Sequence, residues 1–150
     1  MGRLSWGIGV LLSAATAACS GAGAVPADEG GPLTALPACE APPSPAASEA
    51  VQGIELPDGA VVQSVERGDP LVTVQGYVPT TPVEVRRYYQ QTDLEILLIE
   101  DEILEAEALV SNGTHRTYLK ARAVCAEGSS LLAVVAPELD AEGLPVPTGG

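Results

Sequence analysis

The stretch that most limits what this chain can fold into is Asn112-Gly113 with the residues on either side of it. From Asp93 to Val110 the sequence reads Asp-Leu-Glu-Ile-Leu-Leu-Ile-Glu-Asp-Glu-Ile-Leu-Glu-Ala-Glu-Ala-Leu-Val. It is rich in helix formers, and Asn-Gly is an acceptable helix stop. The same residues also read as two strands, a buried run over Leu94 to Ile99 and an alternating one over Leu104 to Val110. Asn112-Gly113 then becomes a type I′ hairpin turn. A two-residue loop places Val110 opposite His115, Ala108 opposite Thr117, Ala106 opposite Leu119 and Leu104 opposite Ala121. The other face pairs Leu109 with Arg116, Glu107 with Tyr118, Glu105 with Lys120 and Ile103 with Arg122. One face is small and mostly apolar, while the other sets opposite charges across the strands, which cross-strand energetics favour. A helix has no reason to generate that complementarity in the segment after it, so the strand reading is preferred.

The remaining elements arrange themselves around this hairpin. Ala60 to Glu66 and Leu71 to Val78 are rich in β-branched residues and are separated by Arg67-Gly68-Asp69-Pro70, a turn, so they predict an antiparallel pair. In Thr80-Thr81-Pro82-Val83-Glu84, Thr81 fits a helix N-cap, Pro82 the first helical position and Glu84 the return arm of a capping box. The helix that follows carries Val85, Tyr88 and Tyr89 on one face. Ser130 to Ala136 is the most hydrophobic strand, and its doubly apolar character predicts either a central position covered on both faces or packing against the helix. The fold class expected is α+β, a small ββαβββ-type domain with one antiparallel sheet and a single short helix on one face. Phe is absent and aromatic residues make up 3 %. The core must therefore come from Val, Leu, Ile and Ala, helped by Tyr77, Tyr88, Tyr89 and Tyr118.

The N-terminal residues bear on location. Arg3 precedes an apolar run from Leu4 that is too short to span a bilayer stably and closes on small residues, the form of a secretory signal peptide. Thr16-Ala17-Ala18-Cys19 resembles the lipobox of bacterial lipoproteins, with Thr16 where the pattern usually has Leu. The heavy use of Ala, Gly, Pro and Val resembles proteins of high-GC bacteria. The lipoprotein resemblance implies cleavage before Cys19, a diacylglyceryl anchor on its thiol, and residence on the extracytoplasmic side of the cell membrane. A cut after Ala24 is the alternative and would give a secreted protein. With Cys19 acylated, Cys39 and Cys125 remain, and an oxidising compartment pairs them as one disulfide. The organisation expected is a signal peptide over 1–18, the lipidated cysteine and a Pro/Ala/Gly linker over 19–49, a globular domain over 50–137 and a disordered tail over 138–150.

Charge and motifs narrow the function without naming it. The net charge of −13 opposes binding to nucleic acid or anionic lipid headgroups. No nucleophile-elbow, zinc-protease or phosphate-loop motif is present, and His115 is the sole histidine. Glu100-Asp101-Glu102 with Glu105 and Glu107 lacks the spacing of a calcium loop and reads as solvated charge. The expectation is thus a non-catalytic accessory or binding module, without cofactor or metal. It would be held to the membrane by the lipid anchor and would engage an unidentified protein partner. The alternative is a carrier or sensor of a small apolar ligand held between helix and sheet, with Val85, Tyr88 and Tyr89 facing it.

Overall fold

The computed structural model describes residues 31–45 and 51–147. The signal segment, Cys19 and the proposed cleavage sites lie outside the described residues. The domain is α+β, with one six-stranded antiparallel sheet and a single α-helix packed on it. Strand β1 (Val61–Arg67) turns back into β2 (Val72–Val78), and helix α1 (Pro82–Gln91) then carries the chain to the far edge. From there β3 (Glu95–Glu102), β4 (Glu105–Ser111), β5 (His115–Cys125) and β6 (Gly128–Pro137) return as a meander until β6 lies beside β2. The spatial order is β1-β2-β6-β5-β4-β3. Four strands follow the helix rather than the three of the ββαβββ pattern. The break at Ile103-Leu104 lies where the sequence already separates the run Leu94 to Ile99 from Leu104 to Val110, so the pattern undercounts by one strand.

The strand reading of 94–110 is correct, and its register differs by two residues. Gly113 has φ +83°, while no described non-glycine residue has positive φ. Asn112 therefore does not enter the left-handed region that a type I′ turn requires of both central residues. Its side chain serves instead. Asn112 Oδ1 accepts from Thr114 N at 3.0 Å and His115 N at 2.8 Å, and Asn112 N donates to the His115 carbonyl at 3.2 Å. The loop is thus Gly113-Thr114, and Val110 faces Thr117, Ala108 faces Leu119, Ala106 faces Ala121 and Glu107 faces Lys120. Because the slip is even, every side chain keeps its expected face.

The two faces of the sheet are covered differently. Val74, Val78, Ala108, Val110, Leu119, Ala121, Leu131 and Ala133 form one buried layer with Val85 and Tyr89 of the helix. On the opposite face Tyr118, Val134 and Ala136 pack with Leu144. Strand β6 is central and buried from both sides, one of the two placements that its continuous hydrophobicity predicts.

Residues 138–147 are not a disordered tail. Glu138–Gly143 forms a short 3-10 helix against β5 and β6, and Leu144 is buried. Its Gly- and Pro-rich composition hides one apolar anchor and one ionic anchor, Leu144 and Glu138.

The helix start follows the sequence in detail. Glu84 N donates to Thr81 Oγ1 at 3.3 Å, and Thr81 N donates back to Glu84 Oε2 at 2.9 Å. Thr81→Ala is expected to cost about 1 kcal/mol, seen as a melting temperature lower by roughly 4–8 °C in calorimetry. A change within error would mean that tertiary packing alone sets this helix start.

Candidate functional site

The helix–sheet seam is filled. Tyr89 is 1 % exposed and Val85 3 %. The Tyr89 hydroxyl donates to the Glu55 carbonyl at 2.6 Å, so its polar end is satisfied inside the core. Tyr88, half-buried, meets the Tyr89 ring edge-on at 5.1 Å and reaches the Glu55 carboxylate and the Leu56 carbonyl, each at 3.1 Å. Burial and the Glu55 hydrogen bond push the Tyr88 phenol up to about 12. The void among Val85, Tyr89, Ala108 and Leu119 is about 10 Å³, at the lower limit for a single water. A small apolar ligand needs a pocket of a few hundred Å³. Val85 and Tyr89 are core residues, and both tyrosines fasten the 55–56 segment over the helix.

The opposite face carries a polar ladder that the paired-charge pattern predicts in outline. Lys120 Nζ lies 2.5 Å from Glu105 Oε1 and 2.8 Å from Glu107 Oε1, and the Tyr118 hydroxyl donates to Glu107 Oε1 at 2.9 Å. Glu107 is itself buried. Hydrogen bonds to Glu105 and then Glu107 raise the Lys120 pKa above its ordinary value. Burial, then the bond to Glu107, pushes Tyr118 up to about 12. Lys120 therefore stays protonated and Tyr118 neutral near pH 7. A general acid or base works best with a pKa near the operating pH, so this ladder suits holding strands together rather than moving protons.

The other acids of the cluster divide. Asp101 pairs with Arg86 at 2.6 Å, and Glu100 and Glu102 lie on the edge strand β3. Among the described residues no group of three or more His, Cys, Asp or Glu side chains is placed to hold a metal ion.

Open depressions also lie among the described residues, two of them beside residues named above. One, of about 370 Å³, lies at an end of the sheet between Val51, Arg67, Val72, His115 and Pro137. His115 packs there against Gly53, whose φ is +84° and whose position admits no Cβ, because that atom would lie 2.5 Å from His115 Cγ. His115 Nδ1 meets the neighbouring Thr114 hydroxyl at 3.0 Å, a contact within the turn. The second, about 280 Å³, lies beside the Cys39–Cys125 disulfide between Pro37, Ala38, Tyr77 and Val124. That disulfide is formed as expected, so both described cysteines are committed to each other.

Glu138 is the residue that sequence reasoning missed. Arg116 donates to Glu138 Oε1 through Nε at 2.7 Å, Ser111 Oγ donates to Glu138 Oε2 at 3.0 Å, and Glu138 N donates to the Thr114 carbonyl at 2.9 Å. The Arg116 bond, followed by that from Ser111, holds the Glu138 carboxyl below the usual glutamate range. As pH falls, the unfolded chain therefore takes up this proton before the folded one does. The linked stability is complete above about pH 5 and is lost as pH drops through the folded pKa. In denaturation series from pH 7 to pH 3, the stability gap between the parent and Glu138→Gln should narrow. A constant gap would show that the carboxylate charge contributes nothing.

Compared with family models, curated proteins and solved structures, the chain matches none of them, and its functional reading rests on its own residues.

Proposed function

We propose that this chain is an extracytoplasmic module tethered to the cell membrane through a lipidated Cys19, acting by binding a protein partner rather than by catalysis. The observation that carries the location is the Cys39–Cys125 bond, which is typical of oxidising compartments. It also fixes the described part of the linker to the domain, assisted by Ala126 N donating to the Pro37 carbonyl at 2.9 Å. Among the described residues no helix is long and apolar enough to cross a membrane, so attachment on this reading falls to the acylated cysteine. The binding role is favoured by a helix–sheet seam with only about 10 Å³ of free space and by a polar ladder in which Lys120 and Tyr118 are both raised above their ordinary pKa values.

Intact-mass analysis of the detergent-extracted protein, without reductant, tests the tether. The expected species begins at Cys19, carries a diacylglyceryl increment and lacks two hydrogens. A chain beginning at Val25 would replace the anchor with secretion. One retaining Met1 with free thiols would overturn export altogether.

A further inference from the structure

The edge strand β3 carries a partly exposed apolar triplet among acidic residues. Ile96, Leu97 and Leu98 are each 36–38 % exposed, and among the described residues β3 pairs on one side only, with β4. A bulge between Ile96 and Leu98 leaves Leu97 without a β4 partner in the ladder. Acids bracket this apolar triplet, Glu95 on one side and Glu100, Asp101 and Glu102 on the other. An open edge offers unpaired backbone donors and acceptors to an added strand, and the side chains along it select which strand is accepted.

The charges decide the occupant. A second copy pairing antiparallel across this edge meets its own acids. Centred between Leu97 and Leu98, Glu95 falls opposite Glu100; centred on Leu98, it falls opposite Asp101, whose charge Arg86 already offsets in part. Like charges directly opposite destabilise a strand pair, and a chain of net charge −13 adds general repulsion between copies. An apolar strand with basic ends reverses every one of these terms. We propose that β3 is a docking edge for an extended segment of a partner protein, apolar at its centre and flanked by Lys or Arg, which adds to the sheet as a seventh strand. The inference rests on the binding-module reading above and specifies which surface does the binding.

The test uses the full mature chain and two labelled peptides with the same Val-Ile-Val-Ile-Val centre, one flanked by paired lysines and the other by paired glutamates. The lysine-flanked peptide should bind at least tenfold more tightly by fluorescence anisotropy, with the margin shrinking in high salt. Amide shifts on binding should concentrate in residues 95–102. Leu97→Lys should weaken binding at least tenfold while circular dichroism shows the variant still folded. Combining Glu95→Lys with Glu102→Lys leaves β3 with two acids and two bases and should remove most of the preference between the peptides. Equal affinities of the two peptides for the parent chain, no binding by either peptide, amide shifts elsewhere, or a dimer joined through β3 would each overturn the proposal. Loss of the edge while the extracted protein still carries a lipid on Cys19 leaves the tether standing. Peptide binding by a chain that retains Met1 does the reverse.

Discussion

Replacing both Cys39 and Cys125 by serine lowers the stability of the domain by about 4 kcal/mol and its melting temperature by roughly 15–30 °C. The bond closes a loop between residues 86 apart in sequence. On the chain-entropy account, a loop of that size restricts the unfolded ensemble by about 4–5 kcal/mol, the upper end for a single bridge. A domain of this size has only about 5–15 kcal/mol in total, so the loss is a large share of it. Cys125 is buried beside Gly128, where an added Cβ would lie 2.7 Å from the Cys125 sulfur and 2.2 Å from the Tyr77 hydroxyl oxygen. The double serine variant keeps that crowded corner nearly isosteric, so its cost reports the cross-link rather than a cavity. Urea denaturation of the parent with and without reductant should give the same difference as the double variant. A difference below about 1 kcal/mol, well under the range for native disulfides in small secreted domains, would show that the unfolded chain gains little freedom from losing the bond.

Tyr89→Ala is the most damaging single truncation expected, at about 3–5 kcal/mol, the range for removing a large buried aromatic side chain. Among the described residues Tyr89 is the largest side chain buried this completely, and it lies between the helix and the layer of Ala108 and Leu119. Tyr89→Phe separates packing from hydrogen bonding. It keeps the ring and deletes only the donor to the Glu55 carbonyl, at a cost of about 0.5–1.5 kcal/mol. Should the Phe variant prove as damaging as the Ala variant, the tie to the 55–56 segment, and not the filling of the seam, would be the main role of this residue.

Local chemistry was the legible part of this fold. The capping box at Thr81 and Glu84, the first hairpin, the burial of β6 and the strand character of 94–110 all follow from residues that interact with near neighbours or repeat with a clear period. The register of the β4–β5 hairpin did not follow, because Asn-Gly offers two loops. Which one forms depends on whether Asn112 adopts positive φ or uses its side chain as an acceptor. The C-terminal segment was hidden for a different reason. Leu144 is buried only because Tyr118, Val134 and Ala136 leave an apolar surface for it on the second face, a surface that exists after the sheet has assembled. At the candidate site, alternation identified which residues of β4 and β5 share a face with Lys120. The shape of the seam around Val85 and Tyr89 is a matter of packed volume that no spacing rule contains.

The disulfide also decides how the domain responds to being pulled. Tension on the chain from the N-terminal side of Cys39 crosses the sulfur–sulfur bond into Cys125, at the end of a strand hydrogen-bonded to neighbours on both sides. Residues 40 to 124, which include β1 to β4 and the helix, lie inside the covalent loop and outside the line of force. Strands that would otherwise peel away one after another from β1 are shielded, and the stretch transmits through the β5–β6 corner instead. A reduced molecule loses that shunt. The same pull would then start at the β1 edge and could open the sheet as a zipper.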